Sequence, residues 1–325
     1  MSNVFFEKTK DLREKIREEV IGSLKKISNE KIRKILLQRV KSSFFLKGII
    51  ADYIHQGLGG NLSDKERLNL ISGLEIYSSS LVLLDNLLDK HYIRNGETTY
   101  LSEFGPEMHA LASQYATHMG LFKMLPYLRN FIGFSKYFYQ YIDNAITGAI
   151  EMDVEHPKNS EESLEYISKV NGFTLGAPLA LIATTATRNI FKIMGVFEYG
   201  YKSGISFGIY EEIRDLIGEH GRERAYELKK GRIPLLMFFA SEKDKKFSPK
   251  KYVGRDLPEK EFHYLWNQLK QSKAFEKIDK IVNNNFSFAK KSLEKIMKKE
   301  YFEELDLLRK DILDSLYVYM DKRNL

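Results

Sequence analysis

The chain has 325 residues, 43% of them apolar and 29% charged, a net charge of +7 and no cysteine. This composition allows a sizeable core and excludes global disorder, disulfides, thiolate metal sites and cysteine nucleophiles. Absence of cysteine fits a reducing, cytoplasmic setting. No apolar run reaches the ~18 residues of a transmembrane helix, and the charged start MSNVFFEKTKDLREKI does not read as a signal peptide.

Apolar residues recur at helical spacing over 5–28, 30–56, 64–92, 106–131, 134–153, 160–190, 197–218, 222–243, 258–270, 272–298 and 301–322. Turn-like breaks separate them: GLGG at 57–60, NGE at 95–97, FGP at 104–106, HPKNS at 156–160 and KKFSPKK at 245–251. Seven prolines and 21 glycines suit long helices better than a many-turned sandwich. The pattern predicts one all-α domain over 1–325, with no internal repeat and no linker. Lysines alternate with acids, as in EKIRKILLQRVK, so most are expected on solvated helix faces. No basic stripe interleaved with exposed aromatics is present, and nucleic acid is not an expected partner. A mild positive excess suits an anionic substrate such as a diphosphate. The histidines show no metal spacing, and no strand precedes GLGG to make it a dinucleotide loop.

Two acidic helix ends stand out. In EIYSSSLVLLDNLLDKHYIRNG (75–96), Asp85 and Asp89 lie four apart and share a helix face after an almost wholly apolar run. In FGIYEEIRDLIG (207–218), Glu211, Glu212 and Asp215 follow a second apolar helix. Either set alone is also what a salt-bridged surface helix shows. Both together, each followed by a basic residue, suit Mg²⁺, a hard cation bound through a few carboxylates, waters and substrate phosphates.

These segments resemble the trans-isoprenyl diphosphate synthase (polyprenyl synthetase) family. Its DDxxD motif, followed by RRG, is matched in frame by Asp85-Asn86-Leu87-Leu88-Asp89 and Arg94-Asn95-Gly96. Its FQxxDDxxDxxG motif is matched by 207–218, its mid-chain KTgaL pattern by Lys169-Val170-Asn171-Gly172-Phe173, and its DLxxGK pattern by Glu227-Leu228-Lys229-Lys230-Gly231-Arg232. The tail LDSLYVYMDKR resembles the family's C-terminal helix. The resemblance spans roughly 40–325.

The resemblance implies a helical bundle around a deep apolar central cavity, a homodimer, and about three Mg²⁺ ions gripping the diphosphate of an allylic substrate. It implies metal ligation by Asp85, Asp89, Glu211 and Asp215, with Glu212 as ligand or neighbour. Arg94, Lys169 and Arg232 are implied to hold the diphosphate. Neutralising the leaving charge by metal and cations in a water-excluded site is what lets the C–O bond break.

Other family positions are missing. The GGKRxRP stretch falls on Phe44-Phe45-Leu46-Lys47-Gly48-Ile49-Ile50, leaving Lys47 as the basic residue there. A family histidine falls on Ser78, the second arginine of RRG on Asn95, the motif glutamine on Gly208, and the mid-chain threonine on Val170. The ionising site is thus expected to persist while the site for isopentenyl diphosphate is degenerate. This favours a terpene synthase on the prenyl-synthase fold. The alternatives are a chain-elongating polyprenyl (geranylgeranyl-type) synthase, a prenyltransferase to another acceptor, and a non-catalytic partner subunit. Ser79, Ser80 and Leu81, with Tyr77 deeper, precede Asp85 where the family's cavity wall lies. Small residues there imply an allylic chain of C15 to C20 or longer, unless the serines pack against a neighbouring helix.

Overall fold

A computed structural model of the chain describes residues 4–41, 43–88, 92–94, 97–128, 131–218 and 223–321. These are almost entirely helical. The chain divides into two compact units, 1–136 with 178–196 and 296–308, and 137–177 with 197–295 and 309–325.

In the first unit, α1 (Val4–Lys8), α2 (Lys10–Leu24) and α3 (Glu30–Lys41) lead into α4 (Leu46–Gly57) and α5 (Asp64–Leu88). The predicted helix 30–56 is broken because Phe45 takes a left-handed conformation, φ 53°, which an L-residue adopts only at a helix boundary or turn. A capping box starts α5: the Ser63 backbone N–H donates to Glu66 Oε2 at 2.9 Å, and the Glu66 N–H donates to Ser63 Oγ at 3.4 Å. Strands β1 (Ile93–Arg94) and β2 (Glu97–Thr98) form a two-residue antiparallel pair. Helix α6 (Tyr100–Met124) begins before the expected 106 and kinks at Gly105, φ 79°, ahead of Pro106. It lies close along α5 because small residues meet: a Cβ at Gly120 would come inside 3.0 Å of the Gly73 carbonyl and Tyr77 amide, and Ser113 Oγ donates to the Ser80 carbonyl at 2.9 Å.

In chain order there follow α7 (Phe131–Ile150), a π-helical turn Glu151–Glu155, α8 (Ser160–Ile167), a second π turn Ser168–Gly172, α9 (Phe173–Ala186), α10 (Ile190–Ile217), α11 (Tyr226–Lys230), α12 (Leu235–Lys243), α13 (Glu259–Gln271), α14 (Ala274–Glu294) and α15 (Lys299–Asp321). The predicted helix 222–243 is interrupted where Gly231 (φ 107°) ends α11 and Pro234 precedes α12. The core of the second unit gathers Trp266, Phe262 and Leu265 of α13, Phe275 and Ile278 of α14, Met237 of α12 and Ile213 of α10. Burying an aromatic or aliphatic side chain of this size contributes about 1.5–3 kcal/mol, so this cluster fixes the lower half of α10. No described helix is long and apolar enough to cross a membrane.

Candidate active site

The first acidic end belongs to the first unit. Helix α5 is buried continuously from Leu70 to Ser80, then emerges: Leu83 and Asn86 stay buried while Asp85 is exposed. Asp85 therefore reaches the end of a buried helix without the desolvation cost of a buried carboxylate. Asp89, Asn95 and Gly96 lie outside the described residues. Arg94 stands in β1, in register with Glu97.

Behind Asp85, Ser79 Oγ donates to the Glu75 carbonyl at 2.9 Å and Ser80 Oγ to the Tyr77 carbonyl at 2.6 Å. Ser80 sits in the α5–α6 contact, where its small size serves close packing. Leu81 is half-buried. Tyr77 is buried, and burial pushes its hydroxyl up to about 12. Lys47, in the first turn of α4, neighbours Glu75, whose Oε1 accepts from the Gly48 N–H at 2.5 Å. Burial lowers the Lys47 ammonium and raises the Glu75 carboxyl; their mutual attraction opposes both shifts, and Arg39 also acts on both groups.

The second acidic end belongs to the second unit. Glu211, Glu212 and Asp215 occupy the last two turns of α10, with three different surroundings. Glu212 is buried and accepts from the Leu235 N–H at 3.0 Å. Burial raises its pKa, while the nearby Arg232 charge and the Leu235 amide hold it down. It is an anchor between α10 and the start of α12. Arg232 is itself buried, its Nε 3.3 Å from Glu227 Oε2. Glu211 keeps 39% side-chain exposure and pairs with Arg214, whose guanidinium lies 5.4 Å from the Tyr210 ring centre. Asp215 is half-buried and lines a narrow recess with Glu212, Glu227, Arg232 and Pro234.

Lys169 stands on the second π turn. Its Nζ donates to both Glu151 oxygens, at 2.7 and 3.0 Å, and pairs with Glu165 at 2.7 Å. Those hydrogen bonds raise its pKa, so it stays cationic. Such π turns recur at functional sites because they shift side chains out of helical register. A Cβ on Gly148 would strike the Lys169 side chain, so glycine lets α7 approach this lysine. Glu151, Glu165 and Arg214, which hold the charged groups of this end, were not singled out by sequence pattern. The Glu165–Lys169 and Glu211–Arg214 spacings were visible as ordinary helix pairs; the Glu151 contact had no local signal.

No family model matches the chain. A prenyl transferase of Cyanophora paradoxa is 25% identical over 254 residues, 75% of this chain and 76% of that protein. Among solved structures, a polyprenyl synthase from Caulobacter crescentus, complexed with calcium and isoprenyl diphosphate, superposes with a TM-score of 0.80 at 15% identity, covering 96% of this chain and 97% of its own. Geranylgeranyl pyrophosphate synthetase from Pyrococcus horikoshii gives 0.78 at 17% identity, over 95% and 98% of the two chains. A geranylgeranyl pyrophosphate synthase from Corynebacterium glutamicum, complexed with isoprenyl diphosphate and magnesium, gives 0.76 at 14%, over 96% and 98%. The chain has the trans-isoprenyl diphosphate synthase fold. Helix α5 ends three residues after Asp85, and α10 ends two residues after Asp215. Among the described residues, no three acidic or histidine side chains stand together as a ready-made metal cage.

Proposed function

We propose that the chain is a Mg²⁺-dependent class I isoprenoid enzyme that ionises an allylic prenyl diphosphate and releases pyrophosphate. The observation that supports it most is the acidic end of α10: Glu212 is tied to Leu235 and Arg232, which leaves Glu211 and Asp215 partly exposed on the same end of the helix. Carboxylate oxygens of this kind fit a hard divalent cation. Asp85, Asp89, Glu211 and Asp215 would hold the metal, with Glu212 positioning the helix end. Bound Mg²⁺ would neutralise the diphosphate as it leaves. Lys169, Arg94 and Arg232 are assigned to the diphosphate; Lys169 must then exchange a carboxylate partner for a phosphate oxygen. Solved structures of this fold that contain calcium or magnesium with isoprenyl diphosphate support the assignment.

The cation then reacts with a double bond of its own chain or with water, as in a terpene synthase. The residues at 44–50 support this, because Phe44, Phe45, Leu46, Ile49 and Ile50 stand where a second diphosphate would need cations. The small residues Ser79 and Ser80, one to two turns before Asp85, support a chain of C15 to C20 or longer, Ser80 less so because it packs against α6. A second reading, chain elongation with isopentenyl diphosphate, is favoured by one feature. Arg39 acts electrostatically on the Lys47–Glu75 pair, giving that region a second cation. Mass spectrometry of products from an allylic diphosphate series, with and without isopentenyl diphosphate, separates the two. Hydrocarbons or alcohols formed without isopentenyl diphosphate support the first reading; longer diphosphates formed only with it support the second. No turnover alone, but altered product length on mixing with an active synthase, would make the chain a partner subunit.

A homodimer is part of the proposal. Helix α6 exposes Leu111, Tyr115 and Phe122, with the exposed Leu125 just past its end, and Phe122 is 78% exposed. Their spacing is that of one helix stripe, which a second copy would cover. Phe122→Glu is expected to convert the dimer to monomer in sedimentation; an unchanged dimer would remove α6 from the interface.

A further inference from the structure

Within the second unit, α10 touches the second π turn through glycines. A Cβ at Gly208 would lie inside 3.0 Å of Asn171 Nδ2 and Cγ, and of Ile167 Cγ2; a Cβ at Gly204 would lie inside 3.0 Å of the Asn171 carbonyl. Asn171 is thus pinned on α10 by two glycines one turn apart, and its carboxamide lies in the space a side chain at 208 would fill. Position 208 precedes Glu211 and Glu212 by one turn and Asp215 by two, on one helix face. Lys169 is two residues away on the same π turn. The Asn171 backbone carbonyl accepts from Thr174 Oγ1 at 3.3 Å; its half-buried carboxamide has no hydrogen-bond partner among the described residues.

We propose that Asn171 contacts the reacting end of the bound allylic diphosphate, its carboxamide supplying at the α10 face the polar group that Gly208 and Val170 lack. The inference rests on the function proposed above. A carboxamide carries two donors and an acceptor, so it can donate to a diphosphate oxygen or present its carbonyl to positive charge on the chain. Residue 171 can reach this place only because 204 and 208 have no side chain. The bland alternative is that Asn171 merely fills a notch in helix packing, and the two roles separate by polarity at constant volume.

The test compares wild type with Asn171→Leu, Asn171→Ala and the double variant Asn171→Ala/Gly208→Gln. It reads kcat and KM for pyrophosphate release, thermal midpoint, and calorimetric affinity for a thio-diphosphate analogue of the substrate. Leucine keeps the filled volume and removes the dipole. The expected result is a Tm within about 2 °C of wild type, a kcat lowered about tenfold or more, weaker analogue binding, and partial recovery of kcat in the double variant. Should leucine itself lower Tm, a stable Asn171→Ala with reduced kcat gives the same support. Wild-type kcat and analogue affinity in either folded variant would overturn the inference while leaving the proposed function standing. A wild-type chain that releases no pyrophosphate overturns the proposed function, and this contact with it.

Discussion

Asp85→Ala and Asp215→Ala are each expected to slow pyrophosphate release by about 100- to 1,000-fold, the scale for removing one preorganised group that meets developing charge, and to raise the Mg²⁺ concentration needed for half-maximal rate. Stability should change less than on loss of the buried Glu212, because Asp85 is exposed and Asp215 half-buried at their helix ends. Glu212 provides the contrast. Its removal leaves the Leu235 N–H without its acceptor and takes from Arg232 one of its neighbouring carboxylates, Glu227 remaining, a cost of about 1–3 kcal/mol for the unsatisfied amide alone. Steady-state kinetics against Mg²⁺, paired with thermal melts, distinguishes the two kinds of acid. An Asp85→Ala chain with wild-type rate and Mg²⁺ dependence would remove α5 from the metal site.

The largest expected stability effect lies at Gly204. A methyl there meets the Asn171 carbonyl and the Gly172 backbone rather than a flexible side-chain tip. Neither partner can rotate away, so α10 and the π turn must separate. Overpacking of this kind costs about 1–3 kcal/mol or more, and Gly204→Ala is expected to lower Tm by about 3–8 °C. Because the same turn bears Lys169 and Asn171, kcat should fall as well. Gly22 in α2 is the matched control: nothing lies within 4 Å of its added Cβ, so Gly22→Ala should hold or raise stability, by up to about 1 kcal/mol. Equal melts for the two variants would show that close glycine packing does not hold the second unit together.

Helices with strong apolar periodicity were legible. The predicted 64–92, 258–270 and 272–298 correspond to Asp64–Leu88, Glu259–Gln271 and Ala274–Glu294. What escaped was local geometry that leaves no compositional mark. Phe45 precedes α4 in a left-handed conformation that its residue type disfavours. The π turns inside 160–190 and after Ile150 keep helical spacing on either side, so periodicity runs through them. The start of α10 at Ile190 hid because Asn189, whose side chain accepts from the Phe191 N–H at 2.9 Å, is a weak signal inside an apolar stretch. At the site, acids four apart on apolar helices were readable as shared faces. Their unequal roles were not: Glu211 and Glu212 are adjacent in sequence, yet one pairs with Arg214 and the other is buried against Leu235. Nor could spacing reveal that Asn171 lies over Gly208, or that Lys169 meets Glu151, since both contacts join separate helical segments.

The central claim concerns metal-dependent departure of pyrophosphate from an allylic chain. Its most direct test is continuous measurement of pyrophosphate released by the pure protein from farnesyl and geranylgeranyl diphosphate, in Mg²⁺ and again after chelation. Release with Mg²⁺ that stops on chelation and resumes when Mg²⁺ is restored is the predicted result. A folded chain that releases no pyrophosphate from either substrate, with or without isopentenyl diphosphate, or one whose release is indifferent to Mg²⁺, would contradict it.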